Sequence, residues 1–151
     1  MTPYGKVAQA AIASMSLLAE RYSPDQPSRL NSRQIGENRK LSQAIVAKVL
    51  TTLSQIGLVT GSPGPGGGYA LARAPKEISL MEVVAPFDRL DSTLVCPFGE
   101  GWCGHGPQCP LHEQLDALRQ RITNFLEQTT LEQFEGIDSS ELSSVPLMNL
   151  E

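Results

Sequence analysis

Apolar positions along the chain follow a helical period, then an alternating one, then a helical one again, and the changes of period mark its elements. From Lys6 to Tyr22, Val7, Ala11, Met15 and Leu18 recur at spacings of three and four, one face of an amphipathic helix in an alanine-rich background. Ser23-Pro24-Asp25-Gln26-Pro27-Ser28 reads as a loop. A short helix is expected from a cap at Asn31 or Ser32 to Glu37. The next runs from a cap at Ser42 to Ile56, with Ile45, Val49 and Leu53 inward and Val46, Leu50 and Ile56 beside them. Gly57 follows in the place that favours a left-handed C-cap.

Leu58–Thr60 and Tyr69–Leu71 are short strand-like runs around a glycine-rich tip, Gly61 to Gly68, and read as a hairpin. Ser79 caps a brief helix through Leu80, Val83 and Val84. Pro110 opens a long helix, since proline suits the first helical position. Along that helix Leu111, Leu115, Leu118, Ile122, Phe125 and Thr129 alternate spacings of four and three, with Leu126 broadening the stripe; this is the seam of a helix packed along a partner. Thr130-Leu131-Glu132-Gln133 resembles a capping box for a last short helix. The result is a mostly α chain: a winged helix-turn-helix with a two-stranded β wing and a long C-terminal dimerisation helix. Residues 1–78 form the DNA-binding region, 79–135 the cysteine loop and dimerisation helix, and 136–151 an acidic, serine-rich tail.

Charge divides the same way. Residues 1–78 hold nine Lys or Arg against four acids, whereas residues 79–151 hold three Arg against twelve acids. A basic half calls for an anionic partner. No apolar run approaches a membrane span and no secretory signal is visible, so no membrane role is expected. The odd number of cysteines and the missing signal point to a reducing cytoplasm.

Two short helices joined by a tight turn, followed by a hairpin, are the order of a winged helix-turn-helix, whose second helix meets base edges in the major groove. This places Ser42, Gln43, Ala44, Ala47 and Lys48 toward double-stranded DNA, with Arg39 and Lys40 in the turn near phosphates. Gln43 suits adenine, and Ser42 can donate or accept. The wing tip lacks the Lys-Ser/Thr that completes a P-loop, so nucleotide binding is not expected. Stripped of side chains at Gly66 and Gly67, it can instead approach the sugar–phosphate backbone with amide donors. No catalytic set such as Ser-His-Asp is present, and neither an enzymatic activity nor a small-molecule substrate is expected.

All three cysteines, Cys96, Cys103 and Cys109, fall within fourteen residues rich in Gly and Pro. Buried cysteines that serve only packing scatter through a core; thiolates gathered on one loop suit a metal ion or an iron–sulfur cluster. His112 lies three residues beyond Cys109, near it on one helix face, and is the candidate fourth ligand; His105 competes for that role. Trp102 would shield the centre from water. Zinc, a thiol switch, or an iron–sulfur redox protein remain alternatives from this donor set.

Gly57-Leu-Val, then Gly64-Pro-Gly-Gly-Gly-Tyr69, with a three-cysteine loop after the next helix, resembles the Rrf family of winged-helix transcriptional regulators, of the IscR and NsrR type. The resemblance runs from about Lys6 to Glu135. It implies a homodimeric bacterial regulator whose DNA affinity is set by an iron–sulfur cluster, 2Fe-2S or 4Fe-4S, held by Cys96, Cys103, Cys109 and His112, with zinc the rival metal. Four features depart from the family pattern. Pro63 stands where members commonly carry an arginine, and Ile45 roughly where an aromatic is usual near the start of the recognition helix. Ala8 stands where some members offer a carboxylate, and the first cysteine gap is one residue longer than the usual five.

Overall fold

The chain folds around its first helix. The structure, a computed structural model, describes residues 4–89 and 108–137. Helix α1 (Lys6–Glu20) is followed by α2 (Ser32–Arg39), α3 (Gln43–Gln55), an antiparallel hairpin of β1 (Val59–Ser62) and β2 (Gly68–Leu71), and a 3-10 turn at Pro75–Glu77. Then come α4 (Leu80–Val84), α5 (His112–Gln128) and a final 3-10 turn at Leu131–Phe134. This is a mostly helical winged helix-turn-helix, as expected. Among the described residues no helix is long and apolar enough to cross a membrane.

Local chemistry sets the helix ends. Asn31 Oδ1 accepts from the Gln34 amide at 2.8 Å while Gln34 Oε1 accepts from the Asn31 amide at 2.9 Å, a reciprocal cap that starts α2. Ser42 Oγ accepts from the Ile45 amide and starts α3. Ser79 and Glu82 cap α4 in the same reciprocal way. Gly57, at φ 82°, turns the chain from α3 into the wing.

Helix α1 buries more than the one face expected of it: Ala8, Ala10, Ala11, Ser14, Met15, Ser16, Leu17, Leu18 and Ala19 are all buried. Its small residues let α2, α3, α4, β2 and the last 3-10 turn all approach closely. One apolar core joins Met15 and Leu17 to Ile35, Val46, Val49, Leu50 and Leu53, and continues through Ile78 and Val83 to Leu126 and Leu131. Each such side chain contributes roughly 1.5–3 kcal/mol.

The structure corrects several local expectations. The inward face of α3 is Val46, Val49, Leu50 and Leu53; Ile45 is half-buried and Ile56 is 49% exposed, because α3 ends at Gln55 and the chain turns at Gly57 to bury Leu58 instead. Helix α2 runs two residues longer than expected, to Arg39. Helix α5 starts at His112 rather than Pro110, whose turn closes when the His112 amide donates to the Cys109 carbonyl at 3.0 Å. Thr130 makes no side-chain cap: the Leu131 amide donates to Ile78 O at 3.0 Å, and Ser79 and Thr130 pair as an antiparallel bridge.

Candidate nucleic-acid interface and metal-binding loop

The turn between α2 and α3 is built on close backbone approach. A Cβ on Gly36 would lie 2.7 Å from the Leu41 carbonyl, so only glycine lets the two helices cross there. The Leu41 amide donates to Gly36 O at 2.9 Å, and Lys40 takes a left-handed conformation at φ 54° to close the turn. Ser42, Gln43, Ala44 and Lys48 are then all exposed on the outer side of α3. Gln43 Nε2 donates to Ser32 Oγ at 3.4 Å, so the start of α2 helps to hold it. Ser32 is a partner the sequence did not single out, because the contact joins two helices.

Lys40 and Lys48 are exposed and make no ion pair among the described residues, which leaves both charges available to phosphate. Arg39 is different. Its guanidinium turns inward onto α1, where it pairs with Glu20 and donates to the Ala13 carbonyl and to Ser16 Oγ. The expected phosphate contact by Arg39 is therefore corrected: the charge is already committed to a buried carboxylate.

The wing pairs Val59 with Leu71 and Ser62 with Gly68. Arg29 Nη1 donates to Thr60 O at 3.0 Å and ties the loop before α2 to the strands. Gly64 and Gly66 have positive φ, and both are exposed with open space where a Cβ would be. Gly67 plays another part than expected. A Cβ there would lie 2.2 Å from Ser62 O, and its amide already donates to Gly64 O at 2.9 Å. It shapes the tip and has no amide left for phosphate; Gly66 is the exposed glycine of the pair.

Of the cysteine-loop residues, Cys96, Cys103, Trp102 and His105 lie outside the described residues. Cys109 is buried, 7% exposed, and His112 is half-buried one turn later at the start of α5. Among the described residues no group of three metal-ligating side chains converges. The available donor types, a buried thiol and a half-buried imidazole three residues on, nevertheless suit a thiolate-rich centre that the other two cysteines would complete.

The cysteine positions fall between α4 and α5 in the sequence, and those two helices are tied together at their other ends. The Leu80 amide donates to Thr129 O at 2.8 Å, which ties the start of α4 to the end of α5. Helix α4 packs on α1, and α1 packs on α3. A continuous packed path thus runs from α5 and α4 through α1 to α3.

Three heptad-spaced residues along α5 and its N-cap face solvent: Leu111 is 43%, Leu118 45% and Phe125 52% exposed. Leu115, Ile122 and Thr129 form a half-buried row beside them, and only Leu126 is fully buried. The seam expected from sequence therefore splits into an outward row and an inward one.

Comparisons with known proteins agree with this architecture. The profile of the Rrf2 family, described as an iron-dependent transcriptional regulator, matches residues 5–135. The chain is 31% identical over 145 residues to the HTH-type transcriptional regulator IscR of Pectobacterium carotovorum (strain PC1), covering 96% of this chain and 83% of that protein. It is 32% identical, with the same coverage, to the regulator of that name from Photorhabdus laumondii. Among solved structures, T. potens IscR superposes with a TM-score of 0.65 at 18% identity, covering 85% of this chain and 83% of that one. The global cysteine regulator CymR of B. subtilis does so at 0.67 and 20% identity, over 87% of this chain and 95% of that one; both show the fold. With its winged helix-turn-helix and a family match across nearly all its described residues, this chain belongs to the Rrf2 family of DNA-binding transcriptional regulators, which are not enzymes.

Proposed function

We propose that this regulator is a homodimer in the cytoplasm whose binding to operator DNA depends on an iron–sulfur cluster. Cys96, Cys103 and Cys109 would hold the cluster, with His112 as the fourth ligand. The observation that carries the reading is that all three cysteines fall between α4 and α5 in the sequence, with Cys109 buried three residues before His112, where α5 begins. When bound, the cluster supplies a redox- and iron-sensitive cross-link within a loop rich in Gly and Pro, which costs about 1–2 kcal/mol per residue to order otherwise. The protein's part is to transmit that order through α4 and α1 to α3.

At the DNA, Ser42, Gln43 and Ala44 face base edges at the start of α3. Lys40 and Lys48 hold phosphates, and Gly66 brings the wing backbone close to the duplex. The outward row Leu111, Leu118 and Phe125 supports a dimer formed along α5, because three large apolar side chains stand exposed at heptad spacing. A twofold dimer matches a palindromic site.

Anaerobic purification tests the reading. The expected product is brown, holds iron and sulfide, and loses both colour and operator response when Cys96, Cys103 or Cys109 is replaced by Ala; His112→Ala weakens or retunes the absorption. Zinc is the second reading, since three thiolates and an imidazole suit it equally. Stoichiometric zinc, with no iron after reconstitution, would decide for it.

A further inference from the structure

Arg39 and Lys40 are consecutive cations at the turn before α3, and the fold sends them in opposite directions. Arg39 Nε donates to Ala13 O at 3.1 Å, and its Nη2 donates to Ser16 Oγ at 2.9 Å and to Glu20 Oε1. Ala13, Ser16 and Glu20 lie at spacings of three and four, one face of α1. The paired side chains are 13% and 4% exposed. Lys40 is exposed and sits at φ 54°, a conformation glycine adopts freely and lysine does not. The fold thus holds a strained backbone and an exposed ammonium together at the turn into α3.

We infer that Arg39 and Glu20 form a buried strut that sets the α2–α3 turn on α1, so that a carboxylate of the central helix governs DNA affinity without touching DNA. Lys40 alone is the phosphate cation of the turn. The inference rests on the DNA-contact reading above. Removing the carboxylate leaves a guanidinium buried without its partner charge, and the turn then spends less time in the orientation that binds.

Salt dependence separates a strut from a phosphate contact. The full chain is titrated with a short mixed-sequence DNA duplex, followed by fluorescence anisotropy, over a series of salt concentrations. Lys40→Gly is expected to flatten the plot of log affinity against log salt by about 0.9, the signature of one lost phosphate contact; an unchanged slope overturns its role. Glu20→Gln is expected to weaken binding by about tenfold with the wild-type slope, because a smaller binding-competent fraction scales affinity by one factor at every salt concentration. Tighter binding with a slope steeper by about 0.9 overturns the inference, since the released guanidinium would then be reaching phosphate. Unchanged affinity and slope overturn it equally. Should Glu20→Gln fail to fold by circular dichroism, Glu20→Met combined with Arg39→Met removes both charges at similar volume, a change buried ion pairs tolerate. A wild-type slope for that protein supports the strut, and one lower by about 0.9 overturns it. A wild-type chain without salt-dependent binding to any duplex is a separate result, and it removes the DNA-contact reading itself.

Discussion

Leu30 and Tyr69 exchange both main-chain hydrogen bonds, at 3.0 and 2.8 Å, although thirty-nine residues separate them. The exchange adds the residue before the Asn31 cap to the free edge of β2. It fixes the start of α2, and with it the helix-turn-helix, to the wing.

Gly68 makes that exchange possible. Its φ is 132°, and a Cβ there would lie 2.6 Å from the Leu30 carbonyl carbon. Gly68→Ala is expected to destabilise the fold by about 1–3 kcal/mol. Chemical denaturation measures the loss, and DNA affinity should fall with it because the wing separates from α2.

Two leucines of α5, about two turns apart, should respond differently to substitution. Leu126→Ala opens a cavity in the core and is expected to cost about 2–5 kcal/mol of stability. Leu118→Glu, on the outward row, should leave the unfolding midpoint of the monomer nearly unchanged and split the dimer. Sedimentation velocity at micromolar concentration reads the second effect, and a wild-type monomer in the metal-loaded state would refute the dimer.

On α3, Lys48→Ala should weaken binding to all duplexes alike and reduce the salt slope by about 1, whereas Gln43→Ala should change which sequences are preferred. Selection from a random duplex library with each protein distinguishes the two. An unaltered consensus for Gln43→Ala would remove that side chain from base reading.

Glu82 links stability to pH. Burial alone pushes its carboxyl up, but the Arg73 guanidinium, which donates to it at 2.7 Å, and the Ser79 amide outweigh burial and hold it below the usual glutamate range. Its contribution is therefore complete above the unfolded-state pKa and is lost as pH falls through the lower folded-state value. The stability difference between wild type and Glu82→Gln should shrink in acid over that window and stay constant above it. A difference that grows in acid contradicts the assignment.

Much of the fold is written locally. Caps at Asn31, Ser42 and Ser79, the left-handed Gly57, and the period changes between helix and hairpin each act over a few residues, so the element order and the winged helix-turn-helix follow from the sequence. The cysteine cluster is equally plain, since it consists of spacing. What the tertiary structure decided are matters of direction. Periodicity marks an apolar stripe on α5 but not which edge of it serves the chain's own core; Leu126 is taken into that core, where α4 packs against α5, and Phe125 is left outside. Residue type marks Arg39 and Lys40 alike as basic turn residues, and only the packing of α1 places Glu20 where one of them must turn inward. The Leu30–Tyr69 exchange has no local signal, because hydrogen bonding between distant backbones depends on where the intervening helices bring the two segments. Local interactions specify elements; long-range packing chooses which faces, and which charges, remain for DNA and for a partner.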